Sequence, residues 1–257
     1  MITLTSDFGL KDPYVAEMKG VILSINPNAT LIDATHEIEK FNVRMGAFVL
    51  ASVAPYFPEG TVHLAVIDHS VGTKRRAILI QTKRGYFVGP DNGVLVLAAQ
   101  NQGIELMVEL ANSQFMLPNV SSTFHGRDVF APAAAYLDKG VGISEFGPKI
   151  QDVVKPEFSS VKQSNGSLMG EVLYIDDFGN IITNINQTLI PTAEKAIVQL
   201  PATHIEIKVA KTYAQAKPED PIALIGSHGF MEIALNQASA AEKFHVKTGD
   251  KIAVSFA

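Results

Sequence analysis

Short apolar runs alternate with helical patterns along roughly the first 150 residues of the chain. The runs are bounded by turn residues and predict strands at 2–4, 29–33, 64–67, 77–80 and 86–88. Helical patterns follow Asp12-Pro13, Val43 and Val94, where Asp12 suits the N-cap and Pro13 the first helical position. Strands that alternate with helices indicate an α/β domain whose central sheet is mostly parallel.

The pattern changes near residue 150. The stretch at about 151–167 is polar and lacks apolar periodicity, so we interpret it as a linker. Short strands follow at 172–175, 181–184, 204–209 and 251–256, and the last two alternate as in a half-buried antiparallel sheet or small barrel. The sequence therefore predicts an N-terminal α/β domain at 1–150 and a smaller C-terminal antiparallel, β-barrel-like domain at 168–257.

Composition narrows the function classes. The 257 residues are 47% hydrophobic and 18% charged, which is typical of a globular chain of one large or two ordinary domains. The net charge of −5 makes nucleic acid an unfavourable partner. The absence of cysteine excludes disulfides, thiolate metal sites and cysteine nucleophiles. Since no leader or apolar run of membrane-spanning length is recognised, we expect a cytoplasmic protein with no membrane partner.

Polar residues follow two of the predicted strands and precede one predicted helix. Asp7 and Asp12 follow the first strand, and Asp68 directly follows the strand at 64–67, with Arg75 seven residues further on. His125 precedes an alanine-rich helix. Ligands of open α/β sheets bind beyond the carboxyl ends of the strands, so Asp68 and Arg75 predict a site for a small polar molecule. A histidine at a helix start suits proton transfer near neutral pH. The alternatives are that Asp68 caps a turn and that His125 is a capping or surface residue.

Other common site types have weaker support. The α/β half contains neither a G-x-G-x-x-G motif nor a P-loop, and the chain has no G-x-S-x-G elbow. Several carboxylates and imidazoles could supply metal ligands, but without a recognised metal-ligand spacing: Asp7, Asp12, Asp68, His69, His125 and Asp128. We therefore predict no metal site.

Five motifs, taken in order, resemble the S-adenosylmethionine (SAM) hydroxide adenosyltransferases, the water-using relatives of the fluorinase and chlorinase enzymes. They are T-S-D-F-G-x-x-D at 5–12, V-I-D-x-x-V-G-T-x-R-R at 66–76, F-H-G-R-D-x-F-x-P at 124–132, I-D-x-F-G-N-x-x-T-N at 175–184 and G-S-x-G-x-x-E-I-A-x-N at 226–236. The resemblance covers nearly the whole chain. It implies hydrolysis of SAM, as substrate and without a cofactor, to adenosine and L-methionine.

The resemblance also implies an assembly and the role of each site residue. It implies a homotrimer whose active sites lie between the N-terminal domain of one subunit and the C-terminal domain of the next. The implied catalytic residues are Asp68, Arg75 and His125. The implied substrate-binding residues are Asp7 at the ribose with Phe41 nearby, Asp12 and Asp176 at the cationic amino-acid end, Ser227 at the carboxylate, and Phe178, Asn180 and the backbone around Asn236 at the adenine.

These residue types suit the implied chemistry. The leaving group is a neutral thioether, so the site needs no general acid, only an oriented water in line with the C5′–S bond and a destination for its proton. Our hypothesis is that Asp68 and His125 accept hydrogen bonds from this water while Arg75 orients Asp68. The family usually has Asp-Pro-Gly where this chain has Asp68-His69-Ser70, and we expect His69 to point outward.

Three other functions remain possible from the sequence. The first is halide transfer to SAM, since Gly126 is shared with the chlorinase, although Asp68 and His125 stand where halide-using relatives carry other residues. The second is non-catalytic binding of adenosine or SAM. The third is a metal-dependent hydrolase built on the Asp and His residues, which a chelator would inhibit.

Overall fold

The computed structural model describes residues 1–164 and 166–256 and divides the chain into two compact units. The first unit is Met1–Lys155 and the second is Pro156–Ala257. The predicted domain boundary was at residue 150, followed by a linker at about 151–167; in the structure, 162–164 already form a strand of the second unit. Asn165 in that predicted linker and Ala257 at the end of the predicted second domain lie outside the described residues.

The first unit contains a six-stranded sheet and four α-helices. The strands are β1 (Ile2–Ser6), β2 (Leu31–Thr35), β3 (Thr61–Val66), β4 (Ala77–Thr82), β5 (Gly85–Pro90) and β6 (Ile104–Glu109). The helices are α1 (Tyr14–Ile25), α2 (Val43–Val53), α3 (Val96–Gln102) and α4 (Ala131–Asp138). The strand order is β2-β1-β3-β5-β4-β6, in which the first four strands are parallel and β4 runs antiparallel to both of its neighbours.

The core of this unit lies between the sheet and its helices. Helix α1 packs with α4 and α2 packs with α3, while α4 and α2 both contact β1 and β3. Every residue of β1 and β3 is buried, as expected for parallel strands covered by helices. The alanines of α4 are buried as well, and their small side chains allow the helix to approach the strands closely. The predicted mostly parallel α/β architecture is confirmed.

The second unit is a closed barrel. Its strands are β7 (Lys162–Ser164), β8 (Ser167–Ile175), β9 (Ile181–Asn186), β10 (Lys195–Gln199), β11 (His204–Val209), β12 (Pro221–Ile225), β13 (Phe230–Leu235) and β14 (Lys251–Phe256). The short helix α5 (Ala240–Phe244) lies between β13 and β14 along the chain. The order β14-β10-β11-β12-β13-β9-β8 closes through pairing of β14 with β8, and β7 extends β8. The predicted barrel-like β domain is confirmed, although β11 and β12 pair in parallel.

One local prediction in the first unit is wrong. Helix α1 begins at Tyr14 with Pro13 as its N-cap residue, and no side chain caps it, so Asp12 lies one residue outside the predicted cap. None of the helices in the described part of the chain has the length and apolar character needed to cross a membrane.

Candidate active site

The carboxyl ends of two neighbouring strands bring Asp7 and Asp68 to one edge of the sheet. β1 and β3 pair in parallel, with Ser6 beside Val66, so the residues that follow them emerge on the same side. Asp7 directly follows β1 and Asp68 lies two residues beyond the end of β3. This is the edge at which open α/β sheets bind ligands.

Asp68 and Arg75 form a buried ion pair at this edge. Arg75 Nε donates to Asp68 Oδ1 at 3.0 Å and to Oδ2 at 3.1 Å, and Arg75 Nη2 donates to Oδ2 at 2.5 Å. The Asp68 side chain is 5% exposed and that of Arg75 is 7% exposed. The guanidinium carbon also lies 5.2 Å from the centre of the Phe130 ring, within the range of a cation–π contact. A buried guanidinium held this way points in one fixed direction.

His125 completes the cluster because the same guanidinium reaches it. Arg75 Nη2 lies 2.9 Å from His125 Nδ1, and since arginine only donates, Nδ1 accepts and the proton of the neutral ring sits on Nε2. Burial and the positive charge of Arg75 lower the pKa of His125, against the opposing effects of Asp68 and Asp128. The imidazole is therefore neutral at neutral pH and presents an N–H donor at Nε2.

Two loops are packed together to build this cluster. Gly72, in the turn between Asp68 and Arg75, has a φ of +78°, and a Cβ there would lie 2.3 Å from the carbonyl oxygen of Ser122. Glycine is thus required both by the backbone conformation and by the approach of the loop that carries His125. On the other side of His125, buried Asp128 accepts from the backbone N–H of Ser121 at 2.8 Å and closes the loop on itself.

An aromatic cluster supports the segment before His125. The Phe124 ring lies 5.6 Å from Phe8 and 5.2 Å from Tyr14 between ring centres, and the Arg127 guanidinium lies 5.1 Å from the same ring. After His125 the chain forms a π-helical turn, Gly126–Phe130, which leads into α4. Such turns are frequent at functional sites.

Asp7 and Phe41 are joined by a direct contact, whereas Asp12 lies at the surface. Asp7 is 5% exposed, and its Oδ2 accepts from the backbone N–H of Phe41 at 2.8 Å. Phe41 has a φ of +64° and is 65% exposed, and Lys40 Nζ donates to the carbonyl oxygen of Asp7. Asp12 is exposed, and so is His69. Asp7 therefore shapes the loop that presents the Phe41 ring.

The barrel unit has its own cavity, of about 570 Å³. It is lined by Asp176, Phe178, Asn180, Tyr213, Leu235, Gln237, Ala238 and Ser239. Asp176 organises one wall: its Oδ1 accepts from the backbone N–H groups of Phe178 at 3.0 Å and Asn180 at 2.9 Å, and its Oδ2 accepts from the Asn180 amide at 2.9 Å. The Phe178 ring is 80% exposed, so this turn offers an aromatic face beside an amide.

Two predicted binding residues do not line this cavity. Ser227 is an exposed residue of the turn between β12 and β13. The Asn236 side-chain amide donates to the carbonyl oxygen of Ala216 at 2.7 Å, and the backbone carbonyl oxygen of Asn236 accepts from the backbone N–H of Glu219. The residues on either side of Asn236, Leu235 and Gln237, line the cavity instead.

Tyr213, Gln237 and Ser239 are cavity residues that the sequence analysis missed. Tyr213 lies outside all five motifs, in a 3₁₀ turn between β11 and β12. Gln237 and Ser239 follow the last motif by one and three residues, which was the available signal. In residues 1–164 and 166–256, His, Asp and Glu form no group of three or more that could hold a metal ion.

The fold and sites define a class of two-unit protein: an α/β unit with an Asp–Arg–His cluster at its strand ends, and a β-barrel unit with an aromatic, amide-lined cavity. The chain belongs to the SAM hydroxide adenosyltransferase family, whose N-terminal domain matches residues 2–147 and whose C-terminal domain matches residues 170–253.

Relatives agree with this assignment over the full length. The chain is 38% identical to the (R)-S-adenosyl-L-methionine hydrolase of Salinispora arenicola, with 99% of this chain and 97% of that protein covered. It is 37% identical to the enzyme of the same name from Methanocaldococcus jannaschii, covering 100% and 96%. A fluorinase from Actinopolyspora mzabensis is 28% identical, covering 99% and 97%. A crystal structure from Thermotoga maritima superposes with a TM-score of 0.88 at 38% identity, covering 99% and 100%.

Proposed function

We propose that this protein hydrolyses S-adenosylmethionine to adenosine and L-methionine, with water attacking C5′ of the ribose. The observation that carries the proposal is the buried Asp68–Arg75 pair with His125 bonded to it, in a chain that belongs to this family along almost its whole length. The relatives quoted above at 38% and 37% identity bear the name of such a hydrolase. That name specifies the R configuration, so we extend the proposal to a preference for the R epimer at the sulfonium.

The reaction needs positioning more than acid catalysis. The O–C5′ bond forms as the C5′–S bond breaks, the electron pair returns to the sulfonium sulfur, and methionine leaves as a neutral thioether. The attacking water loses one proton. Holding this water in line with the C5′–S bond can account for up to about 7–11 kcal/mol of the barrier.

The hydrogen bonds within the cluster suggest a different role for each of Asp68, His125 and Arg75. Asp68 Oδ1 accepts one Arg75 N–H and keeps a lone pair, so we assign Asp68 as the acceptor of the water proton. His125 presents Nε2–H and so orients the water by donating to it, in place of the acceptor role that the sequence suggested. Arg75 fixes the positions of Asp68 and His125 through its hydrogen bonds to both. A positioned base of this kind contributes on the order of 10²–10⁴ in rate.

The remaining predicted residues are proposed to bind the substrate. Asp7 binds the ribose hydroxyls with Phe41 beside it, and Asp12 and Asp176 face the cationic end. Ser227 binds the carboxylate, while Phe178, Asn180 and the backbone next to Asn236 hold the adenine. Carboxylates around a cationic substrate give charge complementarity. No metal or cofactor is assigned a role, and a cytoplasmic setting fits a chain without cysteine.

The test is turnover of each sulfonium epimer by chelator-treated protein in H₂¹⁸O, followed by mass spectrometry. We expect adenosine with one ¹⁸O at C5′ together with methionine. Intact SAM recovered bound to the protein would replace hydrolysis with binding, and loss of activity on chelation would indicate a metal. A 5′-halo-adenosine formed on addition of chloride or bromide would indicate halide transfer.

We also propose a homotrimer with active sites shared between neighbouring subunits. Light scattering measures the assembly. Mixing Asp68→Ala with Asn180→Ala protein, after dissociation and reassociation, should restore part of the turnover that neither variant has alone. A monomer, or a mixture as inactive as its components, would contradict this arrangement.

A further inference from the structure

One buried carboxylate in the barrel is bonded to the wall of the cavity. Glu232, on β13, has a side chain that is 4% exposed, and its Oε1 accepts from the Tyr213 hydroxyl at 2.6 Å. Burial and the negative charges of Glu232 and Asp176 raise the pKa of Tyr213, so this hydroxyl stays protonated and donates. Tyr213 itself is 42% exposed and lines the cavity, so the side chain whose hydroxyl is bonded to the carboxylate also forms part of the cavity wall.

The other oxygen of the same carboxylate faces the turn that carries Ser227. Glu232 Oε2 lies 3.6 Å from His228 Nε2. His228 Nδ1 accepts from the backbone N–H of Phe230 at 3.2 Å, which places the proton of the neutral ring on Nε2, toward Glu232. The turn is packed directly on this pair, because a Cβ on Gly226 would lie 2.4 Å from His228 Nε2 and 2.8 Å from Glu232 Oε2.

We propose that Glu232 is a positioning residue that sets the spacing between the two ends of the bound substrate. One carboxylate oxygen holds Tyr213 at the nucleoside cavity, and the other supports the 226–229 turn, whose Ser227 takes the amino-acid end. This inference rests on the proposed function and adds to it a residue that touches no part of the ligand. The contact with Tyr213 is a short hydrogen bond of 2.6 Å and the contact with His228 is a longer polar contact of 3.6 Å, so a change at Glu232 acts on both.

Two substitutions separate the contacts. Tyr213→Phe removes the hydroxyl and affects only the nucleoside end, so the Kd for adenosine and the KM for SAM should rise by the same factor, about tenfold. Glu232→Gln removes the charge from both contacts, so the KM for SAM should rise by a larger factor than the Kd for adenosine. In both variants kcat should stay within about twofold of the unsubstituted protein, as expected for lost uniform binding.

The matched control is Glu206→Gln, the same change at an exposed barrel residue that pairs with Lys195 at 2.5 Å. It should leave both constants unchanged. Combining Tyr213→Phe with Glu232→Gln should cost less than the sum of the two single effects, since both substitutions act on the same Tyr213–Glu232 hydrogen bond.

The inference is overturned if Tyr213→Phe leaves the Kd for adenosine unchanged, or if the two substitutions are additive. It is also overturned if Glu232→Gln lowers kcat alone. Where Glu232→Gln does not fold, the Tyr213→Phe arm decides by itself, because it keeps the carboxylate. If the unsubstituted protein turns over SAM while these variants behave like it, the proposed function stands and only this inference fails. An unsubstituted protein that neither binds adenosine nor cleaves SAM overturns both.

Discussion

Replacing Asp68 by asparagine tests the buried cluster most directly. The substitution keeps the size of the side chain but leaves the Arg75 guanidinium, 7% exposed, facing a neutral amide. Breaking a buried pair by neutralising one partner costs about 3–5 kcal/mol. For a unit of this size each kcal/mol lowers the melting temperature by about 2–4 °C, so we expect a fall of roughly 6–20 °C. Turnover of SAM should fall by about 10²–10⁴ through loss of the proton acceptor.

Thermal unfolding followed by circular dichroism and adenosine release at saturating SAM measure the two effects separately. The matched control is Asp152→Asn, since Asp152 is 84% exposed and bonded to Arg76 at 3.1 Å. An exposed pair of this kind contributes about 0–1 kcal/mol, so the control should shift the melting temperature by a few degrees at most.

A second variant separates stability from catalysis. Adding Arg75→Met to Asp68→Asn removes the unpaired charge and leaves an apolar side chain against Phe130, so most of the melting temperature should return while turnover stays lost. Asp68→Asn protein with unchanged melting temperature and turnover would refute the reasoning. So would a double variant that regains turnover.

Two further predictions concern the first unit. Gly72→Ala should lower stability and turnover together, because its Cβ would lie 2.3 Å from the Ser122 carbonyl oxygen. The control is Gly60→Ala, which has a φ of +81° and open space around it and should cost about 1–2 kcal/mol from backbone strain alone. Equal melting temperatures for the two variants would contradict the loop contact. Burial lowers the pKa of His63 to about 4, below its unfolded value of 6.5. The stabilisation from burying the neutral ring is therefore complete above about pH 6.5 and is lost as the pH falls toward 4. The free energy of unfolding should decrease by about 3 kcal/mol over this range. His63→Asn, which can still bond Thr3, should flatten this acid limb in unfolding curves measured across that range, and an unchanged limb would exclude His63 as its source.

Much of the architecture followed from local patterns. Alternating apolar runs and helical segments predicted the α/β unit, and the strict alternation in 204–209 and 251–256 predicted the barrel, because each pattern reflects which faces a strand buries. The strand-end rule identified Asp7 and Asp68 in advance, since neighbouring parallel strands deliver their following residues to one edge. The first residue of a helix was harder to predict, as the N-cap position of Pro13 shows, because a cap depends on backbone angles that the residue types alone do not determine.

The sequence by itself therefore determined the family, the two-unit fold class and the position of Asp68 and Arg75, which lie seven residues apart and meet across one turn. Only the tertiary structure decided the state of His125, whose donor lies 50 residues away along the chain. It alone revealed that Asn236 is bonded away from the cavity and that Tyr213 is held by Glu232. The physical reason is that hydrogen-bond direction and burial are set where separate loops and strands pack together, and no local pattern of residues encodes which groups will meet there.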